Sequence, residues 1–256
     1  MAAEPSTLLR VEGGVATITL NRAKQKNSLG PELINSLGDS LKASMADEDV
    51  RAIVLTNAGN TFCAGANLKG GAGEEPRYNL VDVFKMMQEG PKVIVGRING
   101  HCTGGGVGLA AACDISVISN TSEVGFTEVR IGVCPAIISV VCLPKMRRAD
   151  AAELMLSGEK ISGDRAAAVG LLNYSVAPEA LDAKVSEVTG KLVRGGPNAM
   201  AATKGLVYRV PGMNVSEAFS WTAELSASLF KSEEAKAGIA AFNKRVDAPW
   251  VPKAKL

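Results

Sequence analysis

Apolar residues along this chain follow two rhythms. In Leu8 to Glu12 and again in Val15 to Leu20 they alternate with polar ones, and Gly13-Gly14 lies between. Period-two runs joined by a glycine pair predict a β-hairpin. From Pro31 to Ser44 the rhythm changes: Leu33, Leu37 and Leu41 recur every four residues behind an early proline, which predicts an amphipathic helix. Arg51 to Thr56 reads as a buried-type strand and Val93 to Ile98 as another strand, and Leu80 to Glu89 reads as a helix stopped by Gly90-Pro91. Asn99 to Gly108 is rich in glycine and runs into apolar Leu109 to Cys113, and Asp114 to Ser119 reads as a further strand. The alternation through about residue 145 predicts stacked strand-strand-helix units around an α/β core.

Beyond Arg147 the helical rhythm dominates. Ala149 to Ser157, Gly163 to Val169, Pro178 to Val193, Asn198 to Val207, Val215 to Phe230 and Glu233 to Val246 all favour helix, and only Leu172 to Val176 reads as strand. We divide the chain into a core over 1–195 and a helical region over 196–256, with no linker long enough to make the second independent.

Composition narrows the function classes. With 46% apolar and 21% charged residues in 256, the chain has the make-up of a globular protein. A net charge of +2, from 28 basic and 26 acidic residues, predicts no nucleic-acid footprint. No apolar run is long enough to span a bilayer, and Met1 to Thr7 lacks the basic and apolar regions of a signal peptide, so a cytoplasmic protein is expected. The five cysteines, Cys63, Cys102, Cys113, Cys134 and Cys142, include no C-x-x-C pair and are expected to be reduced thiols. With one histidine, His101, and no cluster at ligand spacing, no metal site is expected.

Two segments carry candidate chemistry. Thr61-Phe-Cys-Ala-Gly-Ala-Asn-Leu68 follows a strand, and its small residues let a ligand approach the backbone; taken alone, it also reads as an ordinary tight loop. Asn99-Gly-His-Cys-Thr-Gly-Gly-Gly-Val-Gly-Leu109 leads from a strand into a helix, whose first N–H groups suit an anion. The spacing departs from the G-x-G-x-x-G of dinucleotide sites. Two such loops, each offering one N–H, would form an oxyanion hole, which a thioester enolate requires.

The segments Asn21 to Leu29, Phe62 to Leu68, Asn99 to Gly106, Cys113-Asp114-Ile115 and Thr127-Glu-Val-Arg-Ile-Gly132 together resemble, in order and spacing, the signatures of the enoyl-CoA hydratase/isomerase (crotonase) family. The likeness runs from about Leu8 to Arg245. It implies a spiral of strand-strand-helix turns with a helical C-terminal trimerisation region, and a homotrimer or dimer of trimers. It implies an acyl-CoA substrate, with coenzyme A as part of the substrate and no separate cofactor. The oxyanion N–H groups then fall on Ala66 and Gly105. Coenzyme A is received by backbone near Lys24 and Lys26 and by Ala64, Gly65, Ala66, Asn67 and Leu68. Asn67 stands where aspartate is common, and Phe242 to Arg245 resembles the family's C-terminal F-x-E-K-R element shortened by one residue.

Hydratases of the family usually hold two glutamates over the substrate. One falls on Glu128; the other falls on Gly108, which shares a helix face with Gly105. We therefore expect Glu128 as the sole acid/base, an open space at Gly108 beside the substrate, and a gain in hydration from Gly108→Glu. The alternative reading of Glu128 is a solvated charge on a turn, and the surrounding resemblance favours the catalytic one. His101 and Cys102 are adjacent on extended chain, point to opposite sides and so are poorly placed as a Cys–His dyad. A relative with a serine-histidine pair is excluded by the same single histidine. Three readings follow: an enoyl-CoA hydratase, an isomerase using one glutamate, and a non-catalytic acyl-CoA binder. Cys134-Pro-Ala-Ile-Ile-Ser139 resembles the matching stretch of bacterial methylglutaconyl-CoA-type hydratases and favours hydration. The acyl pocket is expected to draw on the loop Gly70 to Asn79 and the helix Leu80 to Glu89.

Overall fold

A computed structural model describes residues 4–68 and 74–252. Strands β1 (Thr7–Glu12) and β2 (Val15–Leu20) form the antiparallel hairpin, in register from Thr7 with Leu20 to Glu12 with Val15. Gly13 and Gly14 turn it with φ of 56° and 77°, a pair of left-handed residues that matches the twist of the strands. Helix α1 (Pro31–Ala46) follows and buries Leu33, Leu37 and Leu41.

The spiral then repeats a unit of two strands and a helix. Strand β3 (Ala52–Asn57) is followed by β4 (Thr61–Cys63) and α2 (Leu80–Glu89); β5 (Val93–Ile98) by β6 (His101–Thr103) and α3 (Gly105–Ala112); β7 (Ile115–Ser119) by β8 (Glu123–Gly125) and α4 (Ala136–Cys142). The first strand of each unit enters one six-stranded sheet, and the second enters a smaller four-stranded sheet. Helix α5 (Arg148–Ser157), β9 (Lys160–Ser162), α6 (Gly163–Ala168) and β10 (Tyr174–Val176) close the two sheets, in the orders β1-β2-β3-β5-β7-β10 and β4-β6-β8-β9. Pairing is parallel from β2 to β10 and from β4 to β8. The central strands of the larger sheet, β3, β5 and β7, are buried on both faces. Ile53 and Leu55 join the main core with α1 and α3, while Val54, Val95 and Val117 point the other way, onto Leu181, Val185 and Val188 of α7 (Leu181–Leu192). This is why these strands read as largely apolar stretches without the strict alternation of the hairpin.

The corners between the two sheets are narrow. Gly100, at φ 138° between β5 and β6, leaves only 2.3 Å from an imagined Cβ to the Asn60 carbonyl oxygen, so no side chain fits there. Asn57 bridges the same corner, donating from Nδ2 to Asn99 O at 2.9 Å and accepting from Asn99 N at 3.2 Å. Helix α3 is buried on every side from Gly106 to Ala112, which explains its lack of any polar stripe.

The last third is helical: α7, then α8 (Pro197–Arg209), α9 (Val215–Phe230) and α10 (Glu233–Lys244). Helix α8 is pinned to the core by Lys204, whose buried ammonium donates to the carbonyls of Met87 and Lys92 and pairs with Asp114 at 2.9 Å. Helix α9 has no buried residue. Among the described residues, no helix is long and apolar enough to cross a membrane.

Candidate active site

The two glycine-bearing loops meet. Chain leaving β4 runs through Ala64, Gly65 and Ala66; chain leaving β6 runs through Gly104 into α3. Gly65 is left-handed at φ 82°, and an imagined Cβ there would lie 2.8 Å from Thr103 O and 3.1 Å from Gly105 N. An imagined Cβ on Gly106 would come within 2.1 Å of the Cys63 carbonyl oxygen. Glycine at these places is what lets the two backbones touch.

The free donors are set by this geometry. Leu29 and Ala66 form an isolated parallel bridge made by Leu29 N to Gly65 O (2.7 Å) and Asn67 N to Leu29 O (3.3 Å), so the N–H of Ala66 itself takes no part in it. Gly105 is the first residue of α3, where an N–H has no acceptor within its helix and the helix dipole is positive. Both residues line one cavity of about 360 Å³, together with Glu128 and an apolar wall of Leu29, Ile34, Leu80, Val133, Ile137 and Ile138.

Glu128 sits in a short 3-10 turn (Thr127–Ile131) that is stopped by left-handed Gly132 and tied by Val133 N to Glu128 O at 3.2 Å. Its carboxylate faces the glycine turn, with Oε1 3.3 Å from an imagined Cβ on Gly104. Its Oε2 is buried and has no hydrogen-bond partner among the described residues. Burial raises the Glu128 pKa above the ordinary value, against a smaller lowering by its own backbone N–H. A half-buried, under-satisfied carboxyl with a raised pKa beside two free N–H groups has the attributes of a proton-transfer residue.

A second, basic cleft of about 380 Å³ is lined by Lys24, Lys26, Ala64, Ala66, Asn67 and Leu68, with Arg22 and Gln25. Lys26 and Asn27 are both left-handed, at φ 52° and 49°, in a loop held by buried Asn27, whose Nδ2 donates to Thr61 O at 2.8 Å. Ala66 lines both spaces and so marks their junction.

Two expectations need correction. Gly108 leaves no open space. An imagined Cβ there would lie 2.5 Å from Ile138 Cγ2 and 2.8 Å from Phe84 Cζ, because α4 and α2 pack directly onto the bare face of α3. Gly108 is accordingly buried beneath Ile138 and does not line the cavity, unlike Gly105. Gly65 also lines neither space; its part is to bring the two loops into contact. Of the segments expected to form the acyl pocket, Leu80 lines it, while 70–73 lie outside the described residues. The α4 side chains Ile137 and Ile138 escaped sequence reasoning, although the Pro135-Ala136 start marked their place. His101 and Cys102 do diverge: His101 Nδ1 accepts from Glu123 N at 3.0 Å, while the Cys102 thiol is fully buried and pushed to a high pKa.

A two-sheet spiral whose paired loops aim free backbone N–H groups into an apolar cavity, with a carboxyl opposite and a basic cleft alongside, defines a protein built to handle a thioester-like carbonyl. The chain belongs to the enoyl-CoA hydratase/isomerase family, whose model matches residues 10–253. It is 34% identical to a Thermus thermophilus protein provisionally named an enoyl-CoA hydratase, over 92% of this chain and 97% of that one. It is 30% identical to the (E)-benzylidenesuccinyl-CoA hydratase of Thauera aromatica, over 93% and 95%. The solved structure of a Mycobacterium smegmatis enoyl-CoA hydratase superposes with a TM-score of 0.89 at 31% identity, over 96% of this chain and 99% of that one.

Proposed function

We propose that the protein adds water across the double bond of a 2-enoyl-CoA thioester. The observation that carries this is the convergence of Ala66, Gly105 and Glu128 on one cavity. The thioester oxygen accepts from the N–H groups of Ala66 and Gly105, which hold the negative charge as it develops. Glu128 takes a proton from water while the oxygen attacks C3 and the electron pair moves onto the thioester oxygen. When the enolate collapses, the same carboxyl returns the proton to C2. The raised Glu128 pKa suits a group that must both accept and give back a proton.

Coenzyme A lies in the basic cleft of Lys24 and Lys26, and the acyl group lies beyond Ala66 against the apolar wall, which favours a hydrocarbon chain. The helical region 196–256 is the part that assembles copies into a trimer or dimer of trimers, and the enzyme works in the cytoplasm. Isomerisation of a 3-enoyl-CoA is the second reading, favoured by one observation: Ile138 occupies the place of a second carboxylate, and moving a proton from C2 to C4 needs only one base.

Steady-state assays with crotonyl-CoA and a 3-enoyl-CoA test both readings. Turnover of crotonyl-CoA supports hydration, turnover of the 3-enoyl thioester alone supports isomerisation, and binding without turnover of either refutes both. Calorimetry supplies the binding arm, with crotonate expected to bind far more weakly than crotonyl-CoA.

A further inference from the structure

The backbone ladder between β4 and β6 stops short of the site. Thr61 pairs with His101 and Cys63 with Cys102, across an irregularity in β4, and no pairing follows. The next residues on each side are those that lead to Ala66 and Gly105. One side chain continues the connection where the ladder ends: Thr103 Oγ1 donates to the carbonyl of Ala64 at 3.1 Å. Thr103 is itself fixed on its other side, since it pairs with Gly125 of β8, and the following Gly104 N donates to Gly125 O at 3.1 Å.

We infer that Thr103 is a positioning residue for the oxyanion hole, its hydroxyl setting the separation of the Ala66 and Gly105 donors by tying the Ala64 peptide to the β6 end. The inference rests on the oxyanion-hole reading above. Ala64 is two residues before one donor and Thr103 two residues before the other, so the bond spans the two loops at equal distance from the donors. Glycine packing also joins the loops, Gly65 against Thr103 O and Gly105 N and Gly106 against the Cys63 carbonyl, and such contacts resist approach but not separation. A donor pair aimed at a developing oxyanion depends steeply on placement, since small displacements are felt mainly in the transition state.

The test compares Thr103→Val, which keeps the shape and loses the hydroxyl, with Thr103→Ser, which keeps the hydroxyl. Thr103→Ala serves in place of the valine variant if that one fails to fold. For each, kcat and KM on crotonyl-CoA are measured, along with the infrared carbonyl stretch of bound, carbonyl-13C-labelled butanoyl-CoA, which is saturated and does not react. In wild type the stretch is expected below its solution frequency. Loss of the hydroxyl should lower kcat about 10-fold with KM within about 2-fold, as for loss of one hydrogen bond felt in the transition state, and should move the stretch back towards its solution value. Thr103→Ser should restore both. Wild-type kcat in the hydroxyl-free variant, a loss equal in the serine variant, or a change confined to KM with the stretch unmoved would each overturn the inference. If wild type shifts the carbonyl but hydrates nothing, hydration fails while the infrared comparison still decides Thr103; if wild type binds butanoyl-CoA with no shift, the oxyanion hole and this inference fail together.

Discussion

Ile138 of α4 fills the notch left by Gly108 of α3, its Cγ2 2.5 Å and its Cβ 2.9 Å from the point where a Cβ on residue 108 would stand. Because the near atoms include a Cβ as well as a methyl, a rotamer change at Ile138 does not make room. Phe84 closes the other side at 2.8 Å. The glycine is therefore required by packing, although its φ is unexceptional.

It follows that Gly108→Glu does not create a second catalytic carboxylate. It overpacks the core and buries an acid among Ile138 and Phe84. Overpacking of this kind costs about 1–3 kcal/mol, before the desolvation of the new carboxyl. The variant should melt lower and hydrate crotonyl-CoA no faster than wild type. Adding Ile138→Ala should recover part of the melting temperature by opening space. A single Gly108→Glu variant with wild-type stability and raised hydratase activity would refute this account.

Glu128→Gln tests the single-carboxyl mechanism. The amide keeps the size of the side chain and removes proton transfer. Positioned acid/base groups contribute about 10²–10⁴-fold, so kcat should fall by that much or more while crotonyl-CoA affinity stays near wild type. Turnover and calorimetry on the same preparation decide it, and wild-type turnover in this variant would exclude Glu128 as the base.

The same substitution has a pH signature in stability. Burial raises the Glu128 pKa, so the folded state holds its proton more tightly than the unfolded chain does. That contribution is complete below the ordinary glutamate value of 4.5 and is lost as pH rises through the raised value. At neutral pH the wild type thus carries a desolvated carboxylate that the glutamine variant lacks. Glu128→Gln should melt higher than wild type at pH 7, with the difference closing as the pH is lowered to about 4. A gap that widens on acidification would contradict the raised pKa.

Much of this was legible along the chain because the signals were local. The Gly13-Gly14 turn, the four-residue spacing of Leu33, Leu37 and Leu41, and the Leu80–Glu89 helix each announce themselves within one element. The strands β4, β6, β8 and β9 did not, since three residues hold no period and each is defined by its neighbours. Helix α4 hid in a run that is apolar on several faces. The site itself divides the same way. The expectation of backbone donors at Ala66 and Gly105 comes from the family resemblance of their glycine-bearing segments, whereas the contact of Ile138 with Gly108, thirty residues apart, is a fact of packing that no spacing encodes. Lys24, Lys26, Ala64, Asn67 and Leu68 are brought to one cleft by the left-handed turn at Lys26 and Asn27, a conformation that sequence alone does not reveal.

The assembly prediction rests on α9. An intramolecular core helix would bury one face, yet no residue of α9 is buried, and Phe219 and Phe230 are each 72% exposed, with Phe242 of α10 at 82%. Apolar surface of this kind, spread along two helices, is expected to be covered by other copies of the chain. Sedimentation of the wild type should give three or six chains, and Phe219→Glu should shift the distribution towards smaller species. A wild-type monomer at micromolar concentration would refute it.

The final prediction concerns the tie between the helical third and the catalytic core. Asp114 follows the C-terminal end of α3 and is nearly covered. Its Oδ2 accepts from Ile94 N at 2.7 Å and pairs with Lys204, and its Oδ1 accepts from Tyr208 OH at 2.8 Å. The Lys204 side chain is only 3% exposed, and its donors are met by Asp114 and the carbonyls of Met87 and Lys92. Replacing Lys204 with methionine keeps most of the length but leaves a buried carboxylate without its cation and two carbonyls without their donor. Breaking one side of a buried pair typically costs about 3–5 kcal/mol, far more than a surface pair. Changing both partners, Lys204→Met with Asp114→Asn, removes the stranded charge, so the double variant should be more stable than Lys204→Met alone. Denaturant melts of the four proteins form a double-mutant cycle, with a favourable coupling energy between the two sites expected. Additive losses would mean that Lys204 acts only through the Met87 and Lys92 carbonyls, and not through Asp114.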